Sequence, residues 1–105
     1  MLKNLSMRIS NESRRIIKAT VSEIFGGDAR VLLFGSRLDD SRRGGDIDLL
    51  VDLPSPEPEC QRKSLTCVAR LQRRLGDQPI DVLVIDPETP PSPVHLDALR
   101  TGVSL

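Results

Sequence analysis

The sequence predicts a small α/β or α+β sandwich, and three observations lead there. Helical and strand periodicities alternate along 105 residues in the order α-β-β-α-β-α, around what reads as a small sheet. The stretch from Asp46 to Leu53 alternates apolar and largely acidic positions with a period of two, the mark of a strand with two different faces. Hydrophobic residues make up 38% of the chain and charged ones 29%, an ordinary balance for one globular domain over 1–105 with no room for a second.

The first helix is expected from about Ser10 to Phe25. Ser10 can cap its N-terminus, and Glu12 sits in the first turn, where a carboxylate suits the helix dipole. Ile16, Ile17, Val21, Ile24 and Phe25 recur at three and four, and Gly26-Gly27 ends the run. Arg30 to Phe34 reads as a buried strand, broken at Gly35-Ser36. Residues 37–45 are polar and end in two glycines, so they read as a loop or a short helix with a loop. In the second strand Ile47, Leu49, Val51 and Leu53 share one face, while Asp46, Asp48, Leu50 and Asp52 share the other. Pro54, Pro56 and Pro58 make a stiff connection. A second helix is expected from about Glu59 to Leu75, with Leu65, Val68, Ala69, Gln72 and Leu75 along its apolar side and Gly76 as its stop. Ile80 to Ile85 is the third strand, Pro87 to Pro93 a rigid loop, and Val94 to Arg100 a last short helix before Gly102.

Composition excludes several classes of function. The 15 basic and 15 acidic residues cancel, so the footprint of a nucleic-acid binder is missing. With no Trp or Tyr, and only Phe25 and Phe34 as aromatics, there is no platform for stacking bases. No long apolar run predicts a membrane span, and Met1 to Ile9 is too polar for a secretory signal. Cys60 and Cys67 fall two helical turns apart, about 10 Å by rise, too far for a disulfide. They read as free thiols in a reducing cytoplasm.

Three features point to chemistry. Gly35-Ser36 follows a buried strand, where a glycine lets backbone N–H groups and the serine hydroxyl approach a phosphate; taken alone, the pair is also an ordinary turn. Asp46 and Asp48 lie two apart on one strand, their Cα atoms about 6.6 Å from each other. Carboxylates so placed repel unless a cation lies between them, and a hard divalent ion with oxygen ligands fits; a solvated acidic strand edge is the plainer reading. Asp81 interrupts the apolar strand Ile80 to Ile85, where it needs a cation or a place at the rim. Three carboxylates around two Mg²⁺ ions make the two-metal clamp of phosphoryl and nucleotidyl transfer, in which Asp81 would complete the catalytic ion and accept the nucleophile's proton.

Here LFGSR…GGDIDLLVDL, with the later IDVLVI, resembles the polymerase-β-type nucleotidyltransferase superfamily, in particular its minimal nucleotidyltransferases. The resemblance runs from about Val31 to Ile85, and the closing Gly102 to Leu105 extends it. It implies a mixed β-sheet flanked by helices. It implies Mg²⁺-dependent transfer of a nucleoside monophosphate, commonly AMP from ATP. It also implies an antitoxin partnered with a HEPN-domain RNase, which some members modify with AMP. Carried over by motif, Asp46, Asp48 and Asp81 are the catalytic and metal-binding residues. Gly35 and Ser36, with Arg37 beside them, are the nucleotide-binding ones. The loop Leu38 to Gly45 departs from the commonest form, with Asp39-Asp40 where many relatives carry small or basic residues.

Arg42 and Arg43 could neutralise a triphosphate or simply be solvated. His95 has no Cys or His neighbours and reads as a surface or packing residue rather than a zinc ligand. Asp52 reads as peripheral to the acidic pair, and Glu12, Arg14 and Arg15 as a solvated helix face. Leu65, Val68, Leu71, Leu75, Leu96 and Leu99 could leave an apolar face for a partner. Three functions compete: a transferase that modifies a protein, a catalytically weak module that masks an RNase, and a transferase for a small molecule such as an aminoglycoside. The last usually carries an extra domain.

Overall fold

Ser10 opens the first helix by the mechanism its side chain predicts: its hydroxyl accepts the Ser13 N–H at 3.0 Å. This computed structural model describes residues 9–35, 47–76 and 78–105. Within them the elements are α1 (Asn11–Phe25), β1 (Arg30–Phe34), β2 (Ile47–Asp52), α2 (Cys60–Leu75), β3 (Ile80–Ile85), α3 (Pro93–Thr101) and β4 (Val103–Ser104). The sheet is mixed, in the order β3-β2-β1-β4. β1 pairs antiparallel with β2 and β4, while β2 and β3 run parallel. A parallel pair needs a crossover, and α2 supplies it. The two-residue β4 was not expected from the sequence, because so short a strand shows no period.

Alternation along the strands sorts the side chains into two layers. Val31, Leu33, Ile47, Leu49, Val51, Ile80 and Val82 face α1 and α2, where they meet Ile17, Val21, Cys67 and Leu71. Leu32, Phe34, Leu50 and Ile85 face the other way, against Ala98 of α3. The buried face of α2 differs from the one its sequence predicts. Leu65 is 64% exposed and Ala69 is also exposed, while Cys67 and Leu71 are fully buried. The buried stripe follows Cys67, Val68, Leu71 and Leu75 at helical spacing, and Leu65 and Ala69 fall outside it. The proposed apolar partner face is correspondingly broken up. Leu65 and Leu96 are exposed, Leu71 is core, and Val68, Leu75 and Leu99 pack against core residues.

Polar contacts fasten the helices. Arg74 donates to the buried Thr20 hydroxyl at 2.7 Å, and Arg70 and Arg74 both pair with Glu23, joining α2 to α1. Arg14, expected on a solvated face, instead donates to the Leu105 carbonyl at 3.1 and 2.9 Å and so ties α1 to the segment after β4. Glu12 and Arg15 do form an exposed pair. Both cysteines are free; burial pushes the Cys67 thiol up to about 11. No helix among the described residues is long and apolar enough to cross a membrane.

Asp86, just past β3, is buried and anchors two loops. Its carboxylate accepts the Glu57 N–H at 2.7 Å and the Glu88 N–H at 3.1 Å, and it also accepts the Thr89 hydroxyl. The Thr89 hydroxyl first, and then the Glu57 N–H, hold its pKa below the ordinary carboxylate value. The stabilisation from a depressed carboxylate is fully present above the unfolded-state pKa and is lost as pH falls through the folded one. Asp86→Asn should therefore lower Tm at neutral pH. The difference from the parent should shrink below about pH 4, as thermal melts at stepped pH will show.

Candidate active site

The site lies where β2 and β3 begin. Their register sets Asp48 beside Asp81, and the β1–β2 register sets Phe34 beside Asp48. Paired residues on neighbouring strands project from the same face, so one rung reads Phe34–Asp48–Asp81 across the sheet. That face also carries Leu50 and Leu83 and is the one against which α3 packs. α3 lies over β1 and β2. Asp48 is partly buried and Asp81 is exposed, which gives Asp81 the rim position the sequence allowed.

Gly35 closes the rung on the β1 side. Its φ is 81°, in the region only glycine enters without cost. A Cβ placed there would overlap Oδ2 of Asp48 and lie 3.2 Å from its Cγ. The Gly35 backbone therefore sits directly against the Asp48 carboxylate. Ser36, Arg37 and Asp46 lie outside the described residues, as do Asp39, Asp40, Arg42 and Arg43. The structure thus brings together Gly35, Asp48 and Asp81 of the expected set.

Among the described residues there is no group of three or more metal-ligating side chains. Asp48 and Asp81 are hard oxygen donors on adjacent strands at one register, a donor set suited to a divalent cation. Asp46, directly before β2, would be the third. Clefts among the described residues include one between α1 and the sheet near Arg30 and Leu105, and one along β3 from Val82 to Val84 near His95, which adjoins the rung without including it. His95 is a capping residue, its Nδ1 accepting the Ser92 N–H at 3.0 Å at the start of α3. Asp52 pairs with Arg30 at 2.8 Å, away from the rung.

Two residues gained a role that was not anticipated. Asp86 precedes Pro87, and that dipeptide is a turn signal that could have marked it. Ser64 of α2 donates to the Val82 carbonyl at 2.7 Å, a contact with no sequence signature.

Residues 14–98 match the nucleotidyltransferase domain family. The chain belongs to that family. No curated protein matches the chain. Nucleotidyltransferase domains move a nucleotidyl group from a nucleoside triphosphate and generally use divalent metal, and the small mixed sheet flanked by helices is consistent with their fold.

Gly35→Ala tests how tightly the turn and the carboxylate are coupled. The left-handed conformation should cost about 1–2 kcal/mol, and the added methyl must displace Asp48. The variant should fold, melt a few degrees lower, and lose nucleotidyl transfer on the order of 100-fold, because misplacement by about 1 Å can cost that much. Circular dichroism melts and a labelled-nucleotide assay give the two readouts.

Proposed function

We propose that this nucleotidyltransferase moves AMP from ATP, with Mg²⁺, onto a hydroxyl of a protein acceptor in the cytoplasm. We further propose that the acceptor is a small helical HEPN-type RNase, which the chain restrains as its antitoxin. The observation that carries the reading is the rung: Asp48 and Asp81 side by side, with glycine backbone against Asp48.

Asp46, Asp48 and Asp81 would hold the metal, which supplies charge neutralisation for the triphosphate and lowers the pKa of the attacking hydroxyl. Gly35, Ser36 and Arg37 would position the phosphates, through backbone N–H groups, a hydroxyl and a guanidinium. The acceptor oxygen attacks the α-phosphorus and forms a new O–P bond. The bond from that phosphorus to the α,β-bridging oxygen breaks, and pyrophosphate leaves. The exposed carboxylate of Asp81 takes the hydroxyl proton. AMP on the RNase would place a bulky anion where RNA phosphates must bind, blocking it by repulsion and occlusion.

Nucleotide binding is checked by melting. Mg·ATP at a hundredfold excess over Kd should add about 2.7 kcal/mol of stability, and Asp48→Asn should abolish the gain. An unchanged shift in that variant would refute the site.

Transfer is checked by intact mass after co-expression with the product of the adjacent gene. The partner should gain one or more AMP units, and lose them with Asp46→Ala or Asp81→Asn. Asp81→Asn should keep the nucleotide-dependent melting shift; an unfolded variant would make Asp81 structural. A stable complex without added mass would point instead to masking.

A further inference from the structure

We propose that the outer edge of β3 receives the acceptor as an added β-strand, which sets its hydroxyl-bearing residue beside Asp81. The proposal rests on the transfer reading above and names how the acceptor is held.

The backbone directions follow from the ladder. The Ile47 N–H donates to Pro79 O and the Leu53 N–H to Ile85 O, with Ile47 in register with Ile80. In a parallel pair this alternation turns the peptide groups of Asp81, Leu83 and Ile85 toward β2. Those of Ile80, Val82 and Val84 therefore point outward. β3 is the terminal strand of the sheet. Of its outward groups, the Val82 carbonyl accepts the Ser64 hydroxyl. The N–H groups of Val82 and Val84 and the carbonyl of Val84 have no hydrogen-bond partner among the described residues. Such an edge is a template for extended backbone.

The flanks suit a strand. A cleft of about 230 Å³ runs along this edge, lined by Cys60, Gln61 and Ser64 of α2, the β3 residues Val82 to Val84, and His95 of α3. Residues of α2 border it on one side and His95 of α3 on the other.

The register decides what that segment delivers. Opposite an antiparallel strand, Ile80 and Val82 would form hydrogen-bonded pairs, the Val82 carbonyl accepting a second bond on its other lone pair beside that from Ser64, so Asp81 would fall in the non-hydrogen-bonded pair between them. Cα atoms in such pairs are roughly 4.5 Å apart and their side chains approach most closely. The facing residue would project from the same side of the sheet as Asp81 and Asp48, extending the rung to Phe34–Asp48–Asp81–acceptor. A Tyr, Ser or Thr there would meet the carboxylates as a nucleophile must. The residue two positions away would lie over Leu83 near His95, favouring an apolar side chain.

The test uses a capped pentapeptide, Val-Thr-Tyr-Thr-Val, at millimolar concentration with the whole chain labelled for NMR. Amide exchange at Val82 and Val84 should slow on the order of tenfold with peptide. Leu83, bonded within the sheet, should not change. With Mg·ATP the peptide tyrosine should gain AMP, and a peptide N-methylated on its pairing edge should give neither effect. Val84→Pro removes an outward N–H without touching the β2 ladder. It should keep the Mg·ATP melting shift and kcat while raising KM for the peptide at least tenfold. Unchanged exchange at Val82 and Val84, or protection without AMP on the tyrosine, would overturn the proposal. So would edge amides already protected in the free protein, with a dimer by light scattering, since a second copy would then hold the edge. Failure of the Mg·ATP melting shift in the parent, measured without peptide, would count against the transfer reading itself.

Discussion

The register between β2 and β3 is the constraint on which the site depends. A side chain on a strand changes face with every residue, so a slip of one would turn Ile47, Leu49 and Val51 to the α3 side and drive Asp48 into the core under α1 and α2. The apolar residues thus hold the carboxylates in place by occupying their own side. Leu49, Leu50 and Val51 are each fully buried, which makes the slip very costly. Binding geometry and core packing are therefore two faces of one strand.

Placing two carboxylates on one rung has a cost, and the fold limits it by position. Like charges about 4 Å apart repel by roughly 1 kcal/mol in water and about 4 kcal/mol near a protein surface. Asp48 is the second residue of β2 and Asp81 the second of β3, so both sit at the end of the sheet, with Asp81 exposed to water. Deeper along the same face the positions are Leu50, Leu83 and Ile85, packed with α3. A dry lower half and a wet upper end separate the need to fold from the need to gather charge.

Much of this was legible in the sequence because strong local signals agreed. Ser10 caps, Gly26 and Gly76 follow the helices, and the three longer strands fall where apolar runs meet glycine and proline. The face parity of β2 was readable from Asp48 and Leu49 alone. The parts that were not legible depend on tertiary choices. Leu65 and Ala69 have apolar side chains and helical spacing, yet the sheet lies against the neighbouring stripe of α2. Arg14 looked like any surface arginine until Leu105 came back to it across 91 residues. Residue type and order suggest that Asp48 and Asp81 belong together, but only the parallel pairing makes them neighbours.

The short β4 has a consequence for how the chain acquires its shape. β1 is an inner strand of the sheet, between β2 and β4, yet β4 comes after all the other described elements along the chain. During synthesis, β2, α2 and β3 can assemble beside β1 while its other side, where Val31 will accept the Leu105 N–H, still has nothing to pair with. Until Gly102 to Leu105 dock, the nascent domain presents β1 as an open strand at Leu32 and Leu33, a surface apt for a chaperone or for a neighbouring nascent chain. Docking of Gly102 to Leu105, fastened by Arg14, is then the step that ends that exposure and acts as the latch on a sheet otherwise already built.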